Sequence, residues 1–147
     1  MPCKPERAER EVPLFGPDRP AVLLRMSGCD VRSSTFAVAV AGLPTPVGGA
    51  VAPSAEAALR LWAQATWASL RQVVPPGQDA PPGWTVRPAV VPGAGQAQRW
   101  SGPAVDHRGQ PLRAEVLWAA RRGWLVQAAW YGESLEPEVA DTFFGGV

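Results

Sequence analysis

The sequence predicts an α+β domain, with a long helix and a short C-terminal helix packed on an antiparallel sheet. Three observations predict it. Several runs alternate apolar and small or polar residues with the period of a strand. One window repeats its apolar residues at three and four positions, the period of a helix. Clusters of Gly and Pro separate these runs. The chain has 147 residues, 46% of them apolar. That suits a single domain over 1–147 with one core.

Residues 1–11 are polar with two Pro and read as an extended N-terminal arm. Residues 21–26 follow the turn Gly16-Pro17-Asp18-Arg19-Pro20 and read as a strand. Residues 35–40 are a second strand, after Cys29-Asp30-Val31-Arg32. Its Phe36, Val38 and Val40 share one face, and Ala37, Ala39 and Ala41 the other, where small side chains leave room for a helix. The long helix is expected over about residues 55–74, with Ser54 as N-cap and Glu56 in its first turn. Leu59, Trp62, Thr66, Leu70 and Val73 define its apolar face, widened by Ala58, Leu61, Ala65 and Ala68. Trp62 and Trp67 are expected in the core. Pro75-Pro76-Gly77 would end the helix.

The second half reads as a meander. Trp84–Arg87 and Gln96–Ser101 are strand candidates, and Asp106-His107-Arg108-Gly109 is a turn. Leu112–Ala119 and Trp124–Tyr131 flank the hairpin loop Ala120-Arg121-Arg122-Gly123. Pairing Ala119 with Trp124 gives both hairpin faces apolar residues, so both are expected to be covered. The short helix is expected over about 136–143, capped by Ser134 or Glu136, with Pro137 in its first turn. Phe143 and Phe144 would anchor it.

Composition excludes several functions. Only 18% of residues are charged and the formal net charge is +1. A general nucleic-acid binder needs a basic surplus for phosphate contacts. The Arg–Trp stretches Arg99-Trp100 and Arg121-Arg122-Gly123-Trp124 therefore read as packing, not base stacking. No window approaches the roughly 20 apolar residues of a transmembrane helix. The chain has no Ile, no Asn and one Lys, which is what a GC-rich bacterial coding sequence produces.

Candidate chemistry is sparse, and no catalytic, cofactor-binding or metal-binding set is expected. His107 is the one histidine, it sits in a turn, and no Gly-x-Ser-x-Gly elbow accompanies it. Glu115 lies inside an apolar strand, where Arg113 or another cross-strand group is its expected partner. His107, Arg113 and Glu115 form the one weak candidate polar site. Glu6, Glu9 and Glu11 alternate with arginines in the arm, and Glu133, Glu136, Glu138 and Asp141 surround a helix N-terminus. Gly48-Gly49 and Gly93-Ala94-Gly95 lack the Gly-Lys-Ser/Thr ending of a phosphate loop. The two cysteines, Cys3 and Cys29, have no zinc-like spacing. They read either as reduced thiols or as a disulfide. A loop of about 27 residues closed this way contributes about 3–4 kcal/mol in the chain-entropy model, and requires an oxidising compartment. The start Met1-Pro2-Cys3-Lys4-Pro5 has no signal-peptide core. The protein is then cytosolic, or an export signal was removed and an initiator Met added.

Two stretches, taken together, resemble Mog1/PsbP-like domains, especially uncharacterised exported bacterial proteins of that type. One is the strand Thr35–Ala41 with the helix Ala55–Trp62. The other is Gly123–Gly132 followed by Ala140-Asp141-Thr142-Phe143-Phe144. In that family the Phe pair leads into a last strand, whereas here the sequence stops at Gly145-Gly146-Val147. The resemblance implies an α/β/α sandwich and a non-catalytic binding role, and carries over no catalytic residue. Cys3 and Cys29 also look like the Cys pair of such exported proteins.

Three functions are expected in turn. The first is a non-enzymatic exported or periplasmic domain that binds a partner protein or envelope component, marked by an exposed apolar patch rimmed by Arg. The second is a cytosolic adaptor or chaperone for a secreted protein. The third is a small-molecule-binding protein or enzyme, with a deep pocket lined by His107, Arg113 or Glu115.

Overall fold

Alternation and β-branched residues dictate strands, and strands dominate the molecule. The computed structural model describes residues 4–12, 21–31, 34–42, 54–91, 93–94, 97–106, 108–121, 123–133 and 137–145. Seven strands form one antiparallel sheet: β1 (Glu6–Val12), β2 (Val22–Val31), β3 (Ser34–Gly42), β4 (Thr85–Pro88), β5 (Ala97–Val105), β6 (Pro111–Arg121) and β7 (Trp124–Gly132). Their spatial order is β1-β2-β3-β7-β6-β5-β4. Two helices, α1 (Ala55–Ser69) and α2 (Pro137–Gly145), complete the described elements.

The expected α+β class, and with it the Mog1/PsbP-like α/β/α sandwich, is therefore corrected. The fold is sheet-rich, its strands holding more than twice as many residues as its helices. Three local causes account for the difference. The polar arm is a strand, because an edge strand needs only one hydrogen-bonded neighbour and tolerates a charged surface. Cys29-Asp30-Val31 continues β2, where a connection was expected. The long helix stops at Ser69. Leu70 caps it, Arg71 takes a left-handed φ of 56°, and the Arg71 and Gln72 amides donate to the carbonyls of Ala68 and Trp67. Val73, expected on the buried face, is 81% exposed.

Other expectations hold. The Ser54 hydroxyl accepts the Ala57 amide at 3.1 Å. Trp62 and Trp67 are both buried. The Ala39 and Ala41 face of β3 belongs to the core that α1 covers, while Phe36, on the opposite face, stacks edge-on against Phe143 of α2 at 5.0 Å. Asp106 closes the β5–β6 turn by accepting the Arg108 and Gln110 amides through Oδ1, at 2.8 and 2.9 Å. The β6–β7 hairpin is tighter than expected. Arg121 pairs with Trp124, and Gly123 has φ 81°. This shifts the register by two residues and so leaves every side chain on its expected face.

On the α1 face, Trp67 packs edge-on against Trp84, Trp118 and Trp100, at 4.6, 5.5 and 6.0 Å between ring centroids. Thr66 anchors the helix to the sheet. Its Oγ1 donates to the Trp62 carbonyl and accepts from Gln127 Nε2 of β7. Gly102 of β5 lies against this cluster, where a Cβ would sit 2.5 Å from the Trp84 ring. Trp84 cannot yield easily, since its Nε1 donates to the Pro103 carbonyl at 3.0 Å and its ring abuts Trp67. Gly102→Ala is expected to lose about 2–3 kcal/mol as an overpacked site. A urea midpoint equal to wild type would contradict this packing.

Tyr131 of β7 packs against the same core, and burial pushes its hydroxyl from the usual 10 up to about 12. The unfolded chain releases this proton near pH 10, while the folded chain keeps it. Stability therefore falls as pH rises from about 10 to about 12. Tyr131→Phe should flatten that limb of a stability–pH profile, and an identical slope in both proteins would contradict the assignment.

Candidate binding surfaces

Of the expected polar site, Arg113 and Glu115 lie two residues apart on β6. Glu115 lies on the α2 face of the sheet and meets Arg99 of β5, its carboxylate 2.8 Å from Nη2. Arg99 also reaches Asp141 of α2 at 3.2 Å and lies 4.4 Å over the Phe144 ring. Its side chain is only 11% exposed, so this is a buried clamp joining β5, β6 and α2. The Glu115 partner is thus a cross-strand residue other than Arg113. Arg113 is exposed on β6 and makes no ion pair among the described residues. His107 lies outside the described residues. No group of three or more His, Cys, Asp or Glu among the described residues could hold a metal ion.

Among the described residues, α2 and the segment carrying Ala89, Val91 and Ala94 cover only part of the α2 face. A nine-residue helix spans about 13 Å, whereas seven strands span about 29 Å across the sheet. The helix covers Phe36, Leu117 and Trp130, which are buried. Beyond it, the pairings of Val40 with Val126 and of Gly42 with Trp124 set a row of apolar residues side by side. Leu23 is 42% exposed and Trp124 47%. Val40 and Val126 are half-buried.

A groove of about 440 Å³ crosses this face, with Val38, Val40, Val126 and Phe143 in its lining and Arg7 and Arg121 among its polar residues. Arg121 Nε is buried without an acceptor. Neither Arg7 nor Arg121 pairs with a carboxylate among the described residues. Arg25 pairs with Glu9 at 3.5 Å in an exposed contact, and Glu11 lies opposite Leu23 at the outer edge. A second groove, of about 790 Å³, runs beside α1 and is lined by Trp67, Trp100, Trp118, Gln64 and Gln98 among others. Neither groove is lined by Glu115 or Arg113.

Alternation groups Val38 and Val40 with Phe36, whereas the low charge of the sequence predicts packing roles for Arg121 and Trp124. The signal for the bare face is the shortness of α2 against the width of the sheet. That width depends on β1, which the polar composition of the arm concealed.

Cys29 is buried beside the α2-side core, and there is no free thiol among the described residues. Its expected partner, Cys3, lies outside them. No helix among the described residues is long and apolar enough to cross a membrane. No family model, curated protein or solved structure matches the chain.

Proposed function

We propose that this chain is a non-enzymatic bacterial domain, exported to an oxidising compartment such as the periplasm, that binds an envelope component through the bare part of its α2 face. The observation that carries this reading is the apolar row of Leu23, Val40, Val126 and Trp124, rimmed by Arg7, Arg25 and Arg121. Large apolar side chains left in water on one side of a sheet mark an interaction surface. The proposed Cys3–Cys29 disulfide supports export and would tie the region before β1 to β2.

Two measurements test it. Envelope vesicles from a high-GC bacterium should retain the protein on sedimentation, and Trp124→Glu, at an exposed position, should lower retention about tenfold. Equal retention of both proteins would contradict the surface. Maleimide labelling of unfolded protein from the native host should require prior reduction. Labelling without reduction would favour a cytosolic adaptor instead.

A further inference from the structure

We infer that the groove on the α2 face takes a single-chain anionic amphiphile, its acyl chain across Val38, Val40 and Val126 and its acid group on Arg121. This rests on the proposed binding face and names what it binds. The floor suits an acyl chain, because the three valines come from adjacent strands β3 and β7 and offer no hydrogen-bonding group from their side chains. The headgroup sign follows from the guanidiniums. Arg121 and Arg7 both line the groove, and neither faces a carboxylate among the described residues. Arg121 also keeps a buried Nε donor with no acceptor. That nitrogen is packed beside Gly93, so an incoming carboxylate or phosphate would meet the terminal nitrogens of the guanidinium. Glu115 and Asp141 on this face are held by Arg99. Glu9 is held by Arg25, and Glu11 lies at the outer edge of the sheet. Arg7 sits on the edge strand, several strands away from Arg121, and adds attraction at the other end of the groove.

The test is an NMR titration of the isotopically labelled full chain with octanoate, decanoate and dodecanoate below their micelle concentrations. Dodecyltrimethylammonium and dodecyl maltoside serve as cationic and neutral controls. Amide shifts should centre on Val38, Val40, Ala119 and Val126. Affinity should rise about fourfold per added methylene, as for apolar burial. Dodecanoate should bind about tenfold tighter than the cationic analogue, and Arg121→Gln should shrink that ratio toward one. Retention on phosphatidylglycerol vesicles but not on phosphatidylcholine vesicles, without binding of monomeric dodecanoate, would overturn the single-chain occupant. Binding of monomeric dodecanoate without vesicle retention would assign the acid group to a free fatty acid.

Equal affinity for the cationic analogue, shifts centred on the α1-side groove, or no binding of dodecanoate would overturn the inference. Should dodecanoate fail while envelope retention still depends on Trp124, the amphiphile falls and the binding face stands. Loss of both results would remove both.

Discussion

Trp67→Ala should lose about 3–5 kcal/mol of stability, the range for truncating a buried large aromatic residue. Trp67 is 2% exposed and is the one ring that touches Trp84, Trp100 and Trp118 together. These residues come from β5, β6 and the entry to β4, so the helix side chain joins one end of the sheet to α1. The four indoles meet edge to face, which sets positive ring edges against negative ring faces. Nε1 of Trp67 and of Trp118 has no hydrogen-bond acceptor, so shape and aromatic contact hold the cluster. Urea unfolding measures the loss, and near-ultraviolet circular dichroism should show reduced indole signal. Trp67→Phe should keep part of the edge contacts and cost less. A Trp67→Ala protein with the wild-type midpoint would mean that the cluster does not support the sheet.

Arg99→Ala should lose about 3–5 kcal/mol, because removing one partner of a buried ion pair leaves the other charge without compensation. Arg99 is 11% exposed, and its Glu115 partner 21%. The third member behaves differently. Asp141 is 71% exposed, so Asp141→Asn should cost less than about 1 kcal/mol, as surface pairs do. The paired replacement of Arg99 and Glu115 by Met should cost less than Arg99→Ala alone, since no charge is then stranded. Equal losses for Arg99→Ala and Asp141→Asn would contradict the burial that separates these two contacts.

The clamp shows how far the sequence could be read. Glu115 stood out as a charge within an apolar strand, and its pairing with a cross-strand group was expected. The identity of that group depended on which β5 residue lies diagonally across, and register sets that. Separately, the β6–β7 register lies two residues from the expected one, because the strands run on to Arg121 and Trp124. A shift of two residues keeps the faces intact, so both apolar layers are legible in the sequence while the contacts are not. The helix start was written in Ser54, but its end was not. Arg71 takes a backbone conformation that Gly usually supplies, and Pro75-Pro76 drew attention too far along the chain.

The bare α2 face was legible only in part. The Phe36–Val38–Val40 stripe was visible from alternation. That α2 covers only the Phe36 end follows from the relation between helix length and sheet width. Sheet width in turn required β1, whose pairing with β2 is made by backbone hydrogen bonds and one exposed ion pair, not by an apolar stripe.

A photoreactive phenylalanine analogue placed in turn at Leu23 and at Val90, with the protein exported in living bacteria, measures most directly whether the α2 face is where this molecule meets the envelope. Both positions are exposed, Leu23 by 42% and Val90 by 95%, but only Leu23 belongs to the apolar row. Crosslinked adducts to envelope material should form from position 23 and not from position 90. Adducts from position 90 alone, or equal yields from both, would contradict the account.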